Sequence, residues 1–151
     1  MNTSIPIPHY TLIETTKGND PAIVVVNSAL RAFSGREEFP WHLKIVIDCQ
    51  ALGANGMPTS DEAEILVQLE EKLASSLECN DNSVFLARIT WRGTRSILFR
   101  VRDPELANDT LGQLASVAPA EREWEYRMEQ DSEWILAEPE LRLLERDPRI
   151  N

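Results

Sequence analysis

The chain has only two histidines, two cysteines and six glycines in 151 residues. These scarcities remove most of the chemistry that a short motif can announce. No glycine loop is spaced to cradle a phosphate, no serine sits in a Gly-x-Ser-x-Gly elbow, and neither Cys-x-x-Cys nor His-Glu-x-x-His occurs. Cys49 and Cys79 lie far apart without metal-type spacing. His9 falls in a proline-flanked arm and His42 on a strand, and without positioned partners both read as structural or solvent-facing. The sequence therefore assigns no catalytic residue, no metal ligand and no cofactor.

Long hydrophobic runs are missing too. No stretch approaches the roughly 18 apolar residues of a membrane span, and no basic start precedes an apolar secretory segment. The expectation is a reduced, cytoplasmic protein without an anchor. Basic residues are in deficit: 15 Lys and Arg against 25 Asp and Glu give a formal charge of -10, which argues against nucleic acid and anionic membranes as partners. The length suits one domain over residues 1–151, with enough chain to bury a core without disulfides.

What is present is a clear order of elements. Tyr10 to Thr16 and Ala22 to Asn27 are β-prone runs around a turn-forming segment, and predict an N-terminal hairpin that packs onto the rest of the domain. Trp41 to Cys49 alternates as a strand with one core face. Thr59 with Glu62 has capping-box spacing and opens a helix whose buried stripe is Leu66, Leu69, Leu73 and Leu77. Val84 to Trp91 and Thr94 to Val101 flank the tight turn Arg92-Gly93, with Phe85, Ala87, Ile89 and Trp91 expected on one face. Asp103-Pro104-Glu105 starts a second helix with Leu106, Leu111, Leu114 and Ala118 inward. Glu123 to Glu129 alternates as a last strand, and Pro139 to Arg146 reads as a short helix burying Leu141 and Leu144.

Strand, helix, strand, strand, helix, strand predicts an α+β, ferredoxin-like fold. The core is residues 41–129, with two helices on one face of an antiparallel sheet ordered 4-1-3-2. The hairpin 10–27 and a C-terminal extension 131–147 are additions. That order puts Lys44, Asp48, Arg100, Glu123 and Arg127 near one another on the sheet's second face, where opposite charges can pair. The aromatics Phe85, Trp91, Phe99 and Trp124 fall with the core by alternation, which argues against a stacking surface for RNA.

Two charge clusters remain. Asp61, Glu62, Glu64, Glu70 and Glu71 lack the spacing of a calcium loop, and read as a favourable helix start followed by a solvated outer face. Arg88, Arg92, Arg95, Arg100 and Arg102 occur without one acid between Ser83 and Arg102. They either pair with acids elsewhere or form a patch for a carboxylate, a phosphate or an acidic segment of a partner protein.

Gly56-Met57-Pro58-Thr59 before an acidic helix, Ile89-Thr90 followed by Gly93-Thr94-Arg95, and Trp124-Glu125-Tyr126 followed by Asp131-Ser132-Glu133-Trp134 resemble the bacterial domain-of-unknown-function family numbered 695. The resemblance spans nearly the whole chain and implies a fold but no established activity. Some members of that family are fused to a domain similar to an inhibitor of an RNA-degrading endonuclease, which implies a regulatory role by association; that second domain is not expected in this chain.

The leading expectation is a non-catalytic interaction or regulatory module that binds another protein through the Arg-rich hairpin. A second is a small-molecule binder or enzyme with a site between the second sheet face and the N-terminal hairpin, using Asp48, Arg88, Arg100 and Glu125. A third is a self-associating module, monomer or homodimer, with Ile23–Val26 or Leu141–Leu144 as its interface.

Overall fold

The computed structural model describes residues 5–117 and 121–146. Six strands, β1 (Tyr10–Lys17), β2 (Asp20–Asn27), β3 (Trp41–Asp48), β4 (Ser83–Trp91), β5 (Thr94–Val101) and β6 (Trp124–Gln130), form one sheet in the order β1-β2-β4-β5-β3-β6. Every neighbouring pair is antiparallel. Three α-helices accompany it: α1 (Ser60–Leu77), α2 (Pro104–Ser116) and α3 (Glu138–Leu143). The α+β class holds, but the sheet is wider than a four-stranded one. The N-terminal hairpin does not pack across a face; β2 pairs with β4 and lengthens the sheet sideways.

Local chemistry sets the turns and helix starts. Gly18 and Asn19, and again Arg92 and Gly93, have positive φ, the two-residue turn geometry that matches the twist of hairpin strands. The Thr59 hydroxyl accepts from the Glu62 N–H at 3.3 Å, and the Asp103 carboxylate accepts from the Glu105 and Leu106 N–H groups ahead of α2.

Each face of the sheet carries its own core. On one, Leu43, Ile45 and Ile47 of β3 pack with Leu66, Leu73 and Leu77 of α1 and with Ala107 and Leu111 of α2. Leu106, expected inward, is 42% exposed, because Ala107 takes the position one helical turn before Leu111. Ala118 lies outside the described residues, as does position 147 of the C-terminal extension. On the other face, Val24, Val26, Ile89 and Leu98 are covered by Leu30, Phe39, Trp134, Leu141 and Leu144 from the connections and α3. Of the two apolar segments Ile23–Val26 and Leu141–Leu144, Val24, Val26, Leu141 and Leu144 are buried in this second core, while Ile23 and Val25 are half-buried. The cover stops short of β3 and β6, where Lys44, Glu125, Arg127 and Glu129 remain exposed.

A β-bulge between Phe85 and Ala87 changes the reading of β4. One extra residue reverses the side-chain alternation downstream. Phe85 stays with the α1 and α2 layer, while Ala87, Ile89 and Trp91 turn to the opposite core, and Arg88 and Thr90 turn toward the helices. The expected single face for Phe85 through Trp91 is therefore split.

Candidate functional site

The arginine cluster dissolves into separate settings once its strands are placed. Arg88, turned helixward by the bulge, donates from Nε and Nη2 to the two carboxylate oxygens of Glu70 at 2.6 and 2.7 Å. That bond holds the guanidinium above its ordinary pKa, outweighing its burial. Arg100 is fully buried on the other face. Its Nη1 donates to Asp131 Oδ2 at 2.9 Å, its Nη2 to the Asp131 carbonyl at 2.6 Å and to the Phe39 carbonyl at 3.2 Å. The Trp134 ring stacks on the same guanidinium. Arg102 donates to Glu38 at 3.0 Å and lies over the Phe39 ring. Arg92, at the turn, is mostly exposed, 3.5 Å from Asp20.

Arg95 is the exception inside the protein. It is buried beneath α1, its Nε donates to the Thr90 hydroxyl at 3.2 Å, and it forms no ion pair with a carboxylate among the described residues. Burial, then the neighbouring Arg88, pulls its pKa down. Arg88 and Arg95 thus face the helices, Arg100 faces the opposite core, and Arg92 sits at the tip. They do not converge on a common surface.

The acids of α1 are not all solvated either. Glu62 is buried and accepts from Arg122 Nε at 2.7 Å, Arg122 Nη2 at 2.5 Å and the Gln50 N–H at 2.9 Å. The Arg122 hydrogen bond leads in holding its carboxyl at about 2. Glu70 is spent on Arg88. Hence Glu62 keeps its expected place in the first turn of α1 but is ion-paired there, and Glu70, expected on the solvated face, is an ion-pair partner of Arg88. Among the described residues no three His, Cys, Asp or Glu side chains are grouped to hold a metal ion.

The exposed surface with convergent polar groups is the uncovered face over β3 and β6. The strand register sets His42 opposite Glu129, Lys44 opposite Arg127 and Val46 opposite Glu125. Asp48 and Glu125, two of the expected site residues, both border a groove of about 550 Å³ at the far end of this face, with Val46 and Arg122. A second hollow of about 400 Å³ continues over Lys44, Val46 and Arg127. The third, of about 250 Å³, is walled by Lys17, Lys44, Arg127 and Glu129, has Ile89 and Leu98 beneath it, and is closed on one side by Leu136, Pro139 and Glu140.

This last pocket has an unusual charge arrangement. Lys44 and Arg127 are like charges directly across two strands, a placement that ordinarily destabilises a sheet. Neither forms an ion pair with an acid among the described residues. Lys17 comes from the end of β1, its ammonium over the Trp91 ring. Burial pushes the Glu140 carboxyl up, against the pull of Lys17 and Lys44. His42, at the base, is buried and held down at about 4, by burial first and then by Arg100, whose Nη1 lies 3.2 Å from Nδ1. With Nδ1 accepting from Arg100, the neutral ring carries its hydrogen on Nε2. A base this weak, fixed by a structural arginine, suits binding better than proton transfer at neutral pH.

Cys49 is half-buried and burial raises its thiol pKa, the opposite of an activated nucleophile. Sequence reasoning placed Lys44 and Arg127 on this face but passed over them as site residues; it could not find Lys17, Leu136 and Glu140, which arrive from distant segments. Residues 11–136 match the family of unknown function DUF695. The chain belongs to that family. Comparison with curated proteins and with solved structures returns no match. Within the matched span, the segment Asp131-Ser132-Glu133-Trp134 supplies two of the groups that hold Arg100.

Proposed function

We propose that this DUF695 protein is a non-catalytic binding module that takes a small anionic ligand on the open sheet face, with Lys44 and Arg127 as its anchors. The single observation that carries the reading is their pairing: two exposed cations set directly opposite each other, neither in an ion pair among the described residues, beside an apolar-floored pocket that Glu129 and Glu140 also line. Like charges directly opposite cost stability, and an anion seated between them would offset that cost through charge-assisted hydrogen bonds. The pocket, about 250 Å³, lies below the roughly 300–1,000 Å³ of sites for drug-sized molecules, which favours a compact carboxylate or phosphate with a short apolar body.

The site lies on the face of the second sequence-based expectation, but the hairpin contributes Lys17 at its side and forms no roof. A regulatory role in the cytoplasm of a bacterium remains the setting we favour. The order β6-β3-β5-β4 within the sheet supports classing those four strands with α1 and α2 as a ferredoxin-like unit.

A thermal-shift series with small carboxylates, phosphate esters and their uncharged amide or alcohol counterparts tests the reading. Anionic members should raise the melting temperature of the wild type, and Lys44→Ala with Arg127→Ala should remove that rise. Equal responses to charged and neutral members, or an unchanged response in the double variant, would refute it.

A further inference from the structure

Strand β6 is an outer strand of the sheet, and its pairing with β3 fixes which of its backbone groups are in use. The Asp48 N–H donates to the Glu123 carbonyl at 3.1 Å, and the Asp131 N–H donates to the Pro40 carbonyl at 2.6 Å. In an antiparallel ladder the backbone groups of alternate residues point to opposite sides. Odd-numbered residues of β6 therefore turn to β3, and Trp124, Tyr126, Met128 and Gln130 turn their N–H and C=O groups outward. Among the described residues no strand pairs with that edge.

Outer strands are normally protected by proline, a bulge or repelling charges. The sequence of β6, WEYRMEQ, has no proline, and its register with β3 runs unbroken from Gln130 to Trp124. The charges on its open face alternate in sign: Glu125, Arg127, Glu129.

We propose that β6 pairs antiparallel with β6 of a second copy of this chain, joining two sheets edge to edge. Charge and apolar contact together select the register. Centring the pair on Arg127 would set Arg127 against Arg127 and Glu125 against Glu129, all repulsive. Centring on Met128 also opposes Arg127 to a glutamate, Glu129, but pairs only residues 126–130 and leaves Trp124 without a cross-strand apolar partner. Centring on Tyr126 places Arg127 of each copy opposite Glu125 of the other, pairs Trp124 with Met128 beneath the sheet, and lets the outward groups exchange about six backbone hydrogen bonds. The Glu123 and Glu129 side chains then meet only beyond the ends of the paired segment. The opposite edge, β1, has no such match, since its charges Glu14 and Lys17 lie on different faces of the strand.

Sedimentation or light scattering of the full chain over a concentration series tests this proposal, which is independent of any ligand. The expected result is a monomer–dimer equilibrium. Arg127→Glu or Glu125→Arg alone should each weaken the dimer by about tenfold or more, and the two together should restore it. Met128→Pro, which removes an outward N–H and no bond to β3, should abolish it while the melting curve shows that the fold persists. A monomer at every concentration would overturn the proposal and leave an extended peptide as the candidate for this edge. So would a dimer indifferent to both the charge swap and the proline.

Discussion

The Trp134 ring lies against the Arg100 guanidinium, 4.5 Å from ring centroid to guanidinium carbon, while Asp131 holds the same group from its edge. Three residues thereby tie the C-terminal segment to the end of β5. The Trp134 indole N–H also donates to the Arg36 and Phe39 carbonyls, at 2.9 and 3.0 Å, which fixes the connection between β2 and β3 to the same point. Because the charge is fully desolvated, removing one partner strands the other.

Arg100→Met should therefore destabilise the protein by about 3–5 kcal/mol, the cost of leaving a buried partner uncompensated. Arg100→Lys keeps the charge but cannot reproduce the fork that reaches Asp131 and Phe39 together, and should fall between the two. Urea unfolding measures both. A methionine variant as stable as the wild type would show that the interior tolerates the loss of all these bonds.

Lys44 and Arg127 invite the opposite test, in which stability and binding move apart. Lys44→Gln removes the like-charge cross-strand pair without adding a carboxylate beside Glu129 and Glu140, and should leave stability within about 0.5 kcal/mol of the wild type while eliminating any response to anionic ligands. Thermal melts with and without ligand read both quantities. A destabilised variant that still responds to anions would place the binding charge elsewhere.

The fold was largely legible because its local signals agree: turn residues at Arg92-Gly93, caps at Thr59 and Asp103, and period-two strands all point to one element order. The bulge at Phe85 to Ala87 was not. An apolar run carries no mark of where alternation slips, so the expected site on the second sheet face includes Arg88 although it turns to Glu70 under α1. Glu70 departs from its expected solvated setting for a related reason: helical periodicity says which residues face inward, but not that an arginine from another segment waits there. The pocket's walls come from β1, β3, β6 and the segment around α3, and their meeting depends on a sheet order that no local pattern encodes.

His42 should make stability fall in mild acid. Its folded pKa, about 4, is below the ordinary 6.5, so the unfolded chain binds the proton more readily across that interval. The contribution is fully present above pH 6.5 and is lost as pH drops toward 4. His42→Gln, which keeps an acceptor for Arg100, should flatten the stability profile in that window and leave the rest unchanged. A wild-type profile already flat between those values would contradict the neutral, buried ring.

Glu62 acts lower on the scale. Its carboxyl is held at about 2 against an ordinary 4.5, so the folded state releases its proton first, and the pair with Arg122 contributes stability that is complete above pH 4.5 and lost as pH falls toward 2. Glu62→Gln retains the shape and an acceptor for the Gln50 N–H but removes the charge that Arg122 meets. Unfolding followed by denaturant should show the variant less stable than the wild type at pH 7 by about 1–3 kcal/mol, the scale of a hydrogen bond to a charged group, with the two converging as the solution is acidified. Because Arg122 closes the link between α2 and β6, hydrogen exchange in Trp124–Gln130 should rise in the variant at neutral pH. Equal stability at pH 7 would mean that Arg122 finds another partner and that the link is not held by this charge.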